Sequence, residues 1–223
     1  MFLSPDSLDN GSLLYPHKTS LLYDKFRKSE NRIVTAKVSQ LLFENQIVHT
    51  EVGEGILSLS LNYLQRHLLD RLAEILEVDF SAFLKEYQPY LTTGQVQQLL
   101  ADGFTIGSHS LDHPLYSLCS LEEQIHQTVE STRLIREKFN LDYSVFAAPF
   151  HDMGLSKEYF EAIYQGGVDI SFGTSFTRIE GTPKNIQRLS MEDTHYPASN
   201  FVLVSYGKKI FNRVTGRGYI IRS

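Results

Sequence analysis

The sequence predicts an α/β fold in which short parallel strands alternate with helices along residues 91–223. Apolar runs of strand length recur in this part of the chain, at 103–106, 143–148, 168–172 and 185–189. Helical patterns separate them, so each crossover can return the chain to a parallel neighbour, and βαβ units are expected. A final helix is predicted over 198–212, followed by a last short strand over 218–221.

Residues 12–90 are predicted to form a helical insertion, because apolar residues recur there every three or four positions. The longest periodic stretch consists of leucines, at positions 57, 61, 64, 68, 72 and 76. Such a stripe indicates core packing more often than a coiled coil, since sustained heptads are missing. The insertion is expected to be a passive layer over the sheet, with a lid and a dimer surface as the alternatives.

Residues that can cap helices mark several predicted helix starts. Asn31 and Asp79 precede helical patterns in the insertion, and Thr92 or Thr93 precedes the next one. Ser120 begins a capping box, and Ser156 stands before a helix that extends to residue 165.

Two histidines four residues apart follow the first apolar run of the α/β part. His109 and His113 come after Ile106, at the carboxyl end of a predicted strand. Ligands of α/β proteins bind at this end, because loops from neighbouring strands converge there. Imidazole nitrogen binds zinc readily, and a catalytic zinc usually has three protein ligands. A plain loop role is the alternative, because an isolated His-x-x-x-His motif has a high false-positive rate.

Two segments carry a resemblance to a known family. The segment His109-Ser110-Leu111-Asp112-His113 matches the zinc-binding H-[ST]-x-x-H motif of the polysaccharide deacetylase family, also called the NodB-homology domain. The segment Ala147-Ala148-Pro149-Phe150-His151 is similar to the family's R-x-P-[FY]-G segment, which lines the substrate groove. The resemblance implies a metal-dependent hydrolase that removes acetyl groups from N-acetylated sugars. It implies His109 and His113 as metal ligands, and Pro149, Phe150 and His151 as groove residues.

The sequence also departs from the family pattern. It has no T-F-D-D-G segment, whose two aspartates serve the family as base and third metal ligand, and residues 1–5 resemble the strand that normally follows it. Ala147 stands where the family has arginine, and His151 where it has glycine. We therefore expect one N-terminally truncated deacetylase domain over 1–223, folded as an incomplete (β/α) barrel. Zn²⁺, or another divalent metal, is expected to bind weakly, and deacetylase activity is expected to be low or absent.

Asp152 and His195 are the candidates for the missing catalytic groups. Asp152 follows the apolar run at 143–148, so its carboxylate can replace the missing base, although aspartate also serves turns. His195 is the nearest candidate for the acid that protonates the leaving amine, with Glu192 as an alternative. A non-catalytic relative that binds carbohydrate or a regulatory partner through the same groove is the second hypothesis.

Composition excludes some classes of partner. The chain has 223 residues and a formal net charge of −5, without the overall basic character of nucleic-acid-binding proteins. No apolar stretch is long enough to span a bilayer, and no signal peptide is visible, which favours a cytoplasmic location or a lost N-terminus. Cys119 is alone, so an internal disulfide is excluded. The expected partner is a carbohydrate, and the open barrel edge or the helical insertion offers surfaces for an oligomer.

Overall fold

The computed structural model describes residues 1–60, 62–189, 191 and 197–222, which form two compact units. The sheet unit comprises Met1–Leu3, Thr105–Leu111 and Ser120–Ser223. The helical unit comprises Ser4–Phe104 and Asp112–Cys119. The interpretation of residues 1–223 as a single truncated domain stays a prediction.

The sheet unit is built on five strands in the order β1-β2-β3-β4-β5, every neighbouring pair of which is parallel. The strands are β1 (Phe2–Leu3), β2 (Gly107–Ser108), β3 (Val145–Ala147), β4 (Ile170–Gly173) and β5 (Asn185–Gln187). Among the described residues, β1 and β5 are the two edges. The predicted α/β class, with a parallel sheet of the partial-barrel type, is confirmed.

The strand predicted over 103–106 was placed too early, because β2 begins at Gly107. Gly107 is pressed between both neighbouring strands: a Cβ atom there would lie 2.6 Å from Val145 Cγ2 and 2.9 Å from the Phe2 ring. Glycine therefore permits the close approach of three strands at this point. Phe104, an apolar residue of that predicted strand, is exposed.

In the part of the sheet unit that the structure describes, three helices accompany the strands: α7 (Leu121–Phe139), α8 (Lys157–Gln165) and α9 (Ala198–Val214). The predicted caps are present, since Ser120 Oγ accepts from Glu123 N at 3.2 Å and Ser156 Oγ accepts from Tyr159 N at 3.1 Å. The last predicted strand, over 218–221, is wrong: the segment forms one isolated bridge, between Tyr219 and Ile179.

The buried face of α7 is rich in hydroxyl groups, and these are matched by hydroxyl partners. Thr132 Oγ1 lies 2.6 Å from Ser108 Oγ, and Thr128 Oγ1 lies 2.8 Å from the Tyr159 hydroxyl. Hydrogen bonds offset the cost of burying these groups. They also fix the position of α7 against β2 and α8.

The helical unit contains the remaining helices, namely α1 (Tyr15–Arg27), α2 (Arg32–Glu44), α3 (Val52–Ser58), α4 (Leu68–Leu76), α5 (Phe80–Tyr87) and α6 (Thr93–Ala101). The caps predicted at Asn31, Asp79 and Thr92 are confirmed, because each side chain accepts hydrogen bonds from the first turn of its helix. Among the described residues, no helix is long and apolar enough to cross a membrane.

The leucine stripe over 57–76 is interrupted by a 3₁₀ turn, Tyr63–Gln65, between α3 and α4. The leucines of α4 are buried in the core of the helical unit, whereas Leu57 and Leu64 are exposed. Leu61 lies outside the described residues. Of the described leucines of the stripe, therefore, only those on α4 contribute to the core of the helical unit.

Replacement of Gly107 by alanine should destabilise the protein by about 2 kcal/mol, because the new methyl group overpacks the sheet against Val145 and Phe2. Gly94→Ala is the matched control, since a Cβ there meets nothing within 4 Å in helix α6. It should stabilise the protein by about 0.5 kcal/mol through helix propensity. Urea unfolding measures both changes, and a Gly107→Ala variant as stable as the wild type would contradict the packing.

Candidate functional site

The parallel strands of the sheet unit end on the same side, and the residues that follow them form the candidate site. We call this side the carboxyl edge. It comprises His109 after β2, the loop 149–152 after β3, Thr174 after β4 and Arg188 after β5.

His109 is fixed in one tautomer by the backbone of the sheet. Its backbone N–H donates to the Leu3 carbonyl at 2.8 Å, and its Nδ1 lies 2.7 Å from the Ala147 carbonyl oxygen. A carbonyl oxygen only accepts, so Nδ1 carries the proton and Nε2 is the acceptor nitrogen. This is the arrangement in which a histidine is oriented to bind a metal or accept a proton.

His113 belongs to the helical unit and has a left-handed backbone, with φ of 67°. Burial lowers the pKa of His113, and the nearby His17 lowers it further. The imidazole is therefore held in the neutral form that a metal ligand needs. A shared metal role for His109 and His113 stays a prediction.

Within the described part of the chain, no three His, Cys, Asp or Glu side chains form a group that could hold a metal ion. Catalytic zinc usually has three protein ligands. The described residues alone therefore do not fit a complete catalytic zinc site. His195 and Glu192, the candidates for the general acid, lie outside the described residues.

The loop after β3 presents two groups that a ligand can contact. Phe150 is exposed and has φ of 55°, a conformation that residues other than glycine rarely adopt, while the neighbouring Pro149 is buried. The Phe150 carbonyl accepts from Thr174 Oγ1 at 3.3 Å. His151 is half-buried, and its Nδ1 atom is buried without a hydrogen-bond partner among the described residues. A buried nitrogen without a hydrogen-bond partner destabilises the fold unless a ligand or a water molecule supplies that partner.

Asp152 is 1% exposed, and its carboxylate is surrounded by donors. Oδ2 accepts from Gln187 Nε2 at 2.6 Å, from Asn185 Nδ2 at 2.9 Å and from Arg222 Nη2 at 2.6 Å. The carboxylate packs directly over Gly173, where a Cβ atom would lie 2.3 Å from it. Glycine at the end of β4 is therefore what admits this carboxylate.

A second carboxylate, that of Glu180, shares the same donors. Its Oε2 accepts from Asn185 Nδ2 and from Gln187 Nε2, each at 2.8 Å, and pairs with the Arg222 guanidinium. The guanidinium also lies 4.6 Å from the centre of the Phe160 ring. One buried cation thus joins two buried carboxylates, and we call these three residues the arginine cluster.

The charge balance of the arginine cluster keeps both carboxylates ionised. Burial alone would raise the pKa of Asp152, but hydrogen bonds from Gln187, Arg222 and Asn185 outweigh it and lower the pKa. The pKa of Glu180 is lowered by the same balance, with Arg222 its strongest partner. A general base works best when its pKa lies near the operating pH. The contacts therefore favour a structural anion at Asp152, and its catalytic role stays a prediction.

The arginine cluster was missed at the level of the sequence, because its members lie far apart in the chain. Asn185 and Gln187, which donate to the cluster, are two residues apart on one strand, so their side chains lie on the same face of the sheet. This spacing is the one local feature of the sequence that points to the cluster. Nothing in the spacing connects Asp152 with Arg222, which stands 70 positions later.

Comparison with known proteins confirms the resemblance seen in the sequence. The family model described as polysaccharide deacetylase matches residues 66–169, a range that contains the histidine loop and the loop 149–152. A solved structure, "Structure of IcaB from Ammonifex degensii", is similar to this chain at 15% identity with a TM-score of 0.39. The match covers 53% of each chain, so this chain spans about half of that protein. No curated protein sequence matches.

Replacing Arg222 by methionine should lower the free energy of unfolding by about 3 kcal/mol at pH 7, because two carboxylates then stay buried without their cation. Both carboxyl pKa values lie below their ordinary values of 3.8 and 4.5. The stabilisation is therefore complete above these ordinary values and is lost as the pH falls through the folded-state pKa values. Urea unfolding at pH 7 and pH 3.5 should show a smaller difference between wild type and variant at the lower pH.

Arg133→Met is the matched control for Arg222→Met. Arg133 also joins two carboxylates, those of Glu130 and Glu137, but on the exposed surface of α7. Solvent screening makes such pairs weak, so this variant should unfold almost as the wild type does. Equal effects of the two substitutions, or no effect of either, would show that the arginine cluster does not stabilise the fold.

Proposed function

We propose that the carboxyl edge of the sheet unit binds an N-acetylated carbohydrate, and that this chain hydrolyses the acetamide slowly or not at all. The match of the polysaccharide deacetylase family over residues 66–169 carries the proposal, because it spans both segments that resemble the family's site motifs. It supports a carbohydrate deacetylase-like function for this part of the chain.

Three side chains of the carboxyl edge have the chemistry to contact a sugar. The exposed Phe150 offers an aromatic face against which sugar C–H groups can pack. His151 has a buried nitrogen that lacks a partner among the described residues, and His109 has an acceptor nitrogen oriented by Ala147. A few oriented polar groups beside an apolar surface are typical of small-ligand sites.

Hydrolysis of the acetamide requires further groups. A water must lose a proton to a base, and the leaving amine must gain one from an acid. The Asp152 carboxylate is a weak base in its present contacts, since its pKa is lowered. A positioned base ordinarily contributes about 10²–10⁴-fold to the rate, and this contribution is the one that we expect to be reduced.

The family is generally metal-dependent, so the proposal includes a divalent metal, with Zn²⁺ as the first candidate. His109 would supply one ligand nitrogen from the sheet unit, and such an incomplete ligand set binds a metal weakly. When bound, a divalent metal would lower the pKa of a water molecule and polarise the acetyl carbonyl.

A non-catalytic relative that binds carbohydrate through the same edge is the second candidate. The arginine cluster favours it, because an aspartate that is locked to Arg222, Asn185 and Gln187 stabilises the edge without being available for proton transfer. Both candidates share the binding surface and differ only in turnover.

The test measures binding and turnover on N-acetylglucosamine oligomers, with added zinc. We expect calorimetry to detect binding by the wild type, and His151→Ala to weaken it about fivefold through the loss of one hydrogen bond. His126→Ala is the matched control, since His126 is exposed on α7. Acetate release should stay near the uncatalysed rate.

Other outcomes would contradict parts of the proposal. Absence of binding by the folded wild type would reject the carbohydrate site. Robust acetate release that is abolished by Asp152→Asn would show that Asp152 is the catalytic base. By contrast, release that appears only after a T-F-D-D-G strand is added at the N-terminus would support the proposal, because it would identify the missing aspartates as the reason for low activity.

A further inference from the structure

Helix α9 presents apolar side chains to solvent. In the described part of the chain its most exposed apolar residues are Leu203 (73%), Val204 (67%), Ile210 (62%), Phe211 (57%) and Val214 (80%). Monomeric soluble proteins rarely expose contiguous apolar patches of this kind, and such patches mark interaction surfaces.

These side chains form one continuous face along the helix. Leu203, Gly207, Ile210 and Val214 follow the three- and four-residue spacing of a helical row, and Val204 and Phe211 lie one heptad apart beside it. Gly207 leaves open space in the middle of the row. We call the five apolar residues the outer face of α9.

The opposite side of α9 contacts the rest of the sheet unit, and several of these contacts are polar. Ser205 is buried, and Asn212 Nδ2 donates to the Thr177 carbonyl at 2.8 Å. The Lys209 ammonium lies 4.1 Å from the centre of the Phe176 ring. Turning the helix to bury the outer face would break these contacts, so the observed orientation is specified by the structure.

Positive charge borders the outer face. Lys208 and Arg213 are exposed on α9 at its margins, and Arg217 is exposed just after the helix. After Asp193 the sequence contains no acidic residue, although the whole chain has a net charge of −5. Cations are therefore concentrated at the carboxyl-terminal end of a chain that is otherwise acidic.

We propose that α9 lies in the interface of a membrane with an anionic surface. An apolar helix face flanked by Lys and Arg is the pattern of helices that insert into the headgroup region, where the apolar residues are buried and the cations meet anionic lipid. Self-association through the same face is less favourable, because the cations of two copies would meet without acidic partners on α9. The inference is independent of the proposed carbohydrate site.

The test is co-sedimentation of the full chain with vesicles. We expect binding to vesicles of phosphatidylglycerol and phosphatidylcholine, and at least tenfold weaker binding to vesicles of phosphatidylcholine alone. Raising the salt from 0.1 M to 0.5 M should weaken binding to the anionic vesicles, because exposed charges are screened.

Two variants distinguish the contribution of the outer face to vesicle binding from that of other exposed apolar residues. Phe211→Glu should reduce binding to anionic vesicles at least tenfold, since it places an anion in the apolar face. Phe43→Glu is the matched control, because Phe43 is 80% exposed on α2 of the helical unit, and it should bind as the wild type does. Circular dichroism of both variants confirms that they are folded.

Several results would overturn the proposal. One is a folded wild-type protein that does not bind anionic vesicles. Another is a Phe211→Glu variant that binds these vesicles with the same affinity as the wild type. A dimer in analytical ultracentrifugation that binds no vesicle and is lost in Phe211→Glu would assign the outer face to a second copy of the chain.

Discussion

The buried guanidinium of Arg222 is the charge on which the carboxyl edge of the sheet unit depends. It is paired with Asp152 and Glu180, and the exposed fractions of these three side chains are 6%, 1% and 9%. An ion in the protein interior is strongly unfavourable unless its charge and hydrogen bonds are satisfied. The amides of Asn185 and Gln187 add hydrogen bonds to the anions, because each donates to both carboxylates, whereas Arg222 Nε has no hydrogen-bond partner among the described residues. The arginine cluster thus joins the loop after β3, the end of β5 and the last described residues of the chain.

This arrangement has a direct consequence for the candidate site. Phe150 and His151 stand immediately before Asp152, so the anchored carboxylate holds in place the loop that presents them. Gly173 is the small residue that lets the anchor sit against β4. The same contacts that position the loop lower the pKa of Asp152, and a base of low pKa removes protons poorly near neutral pH. The contacts that make the carboxyl edge rigid therefore also make Asp152 a weaker base.

Much of the architecture could be predicted from the sequence, because it depends on local signals. Helix caps such as Asn31, Asp79 and Ser120 act within one turn, and parallel strands follow from the alternation of helices and apolar runs. The position of β2 was missed, since it depends on how closely Val145 and Phe2 approach Gly107. The arginine cluster depends on contacts between residues 33 to 70 positions apart, which no local pattern encodes.

The NMR titration of the Asp152 carboxyl carbon tests the central claim most directly, with Asp152→Asn used to assign the resonance. If Asp152 is a structural anion held by Arg222, its carboxyl group should titrate below the ordinary value of 3.8, and the signal should not move between pH 5 and pH 8. A titration midpoint at about pH 6–7 would contradict this account, because it would give Asp152 the pKa of a general base.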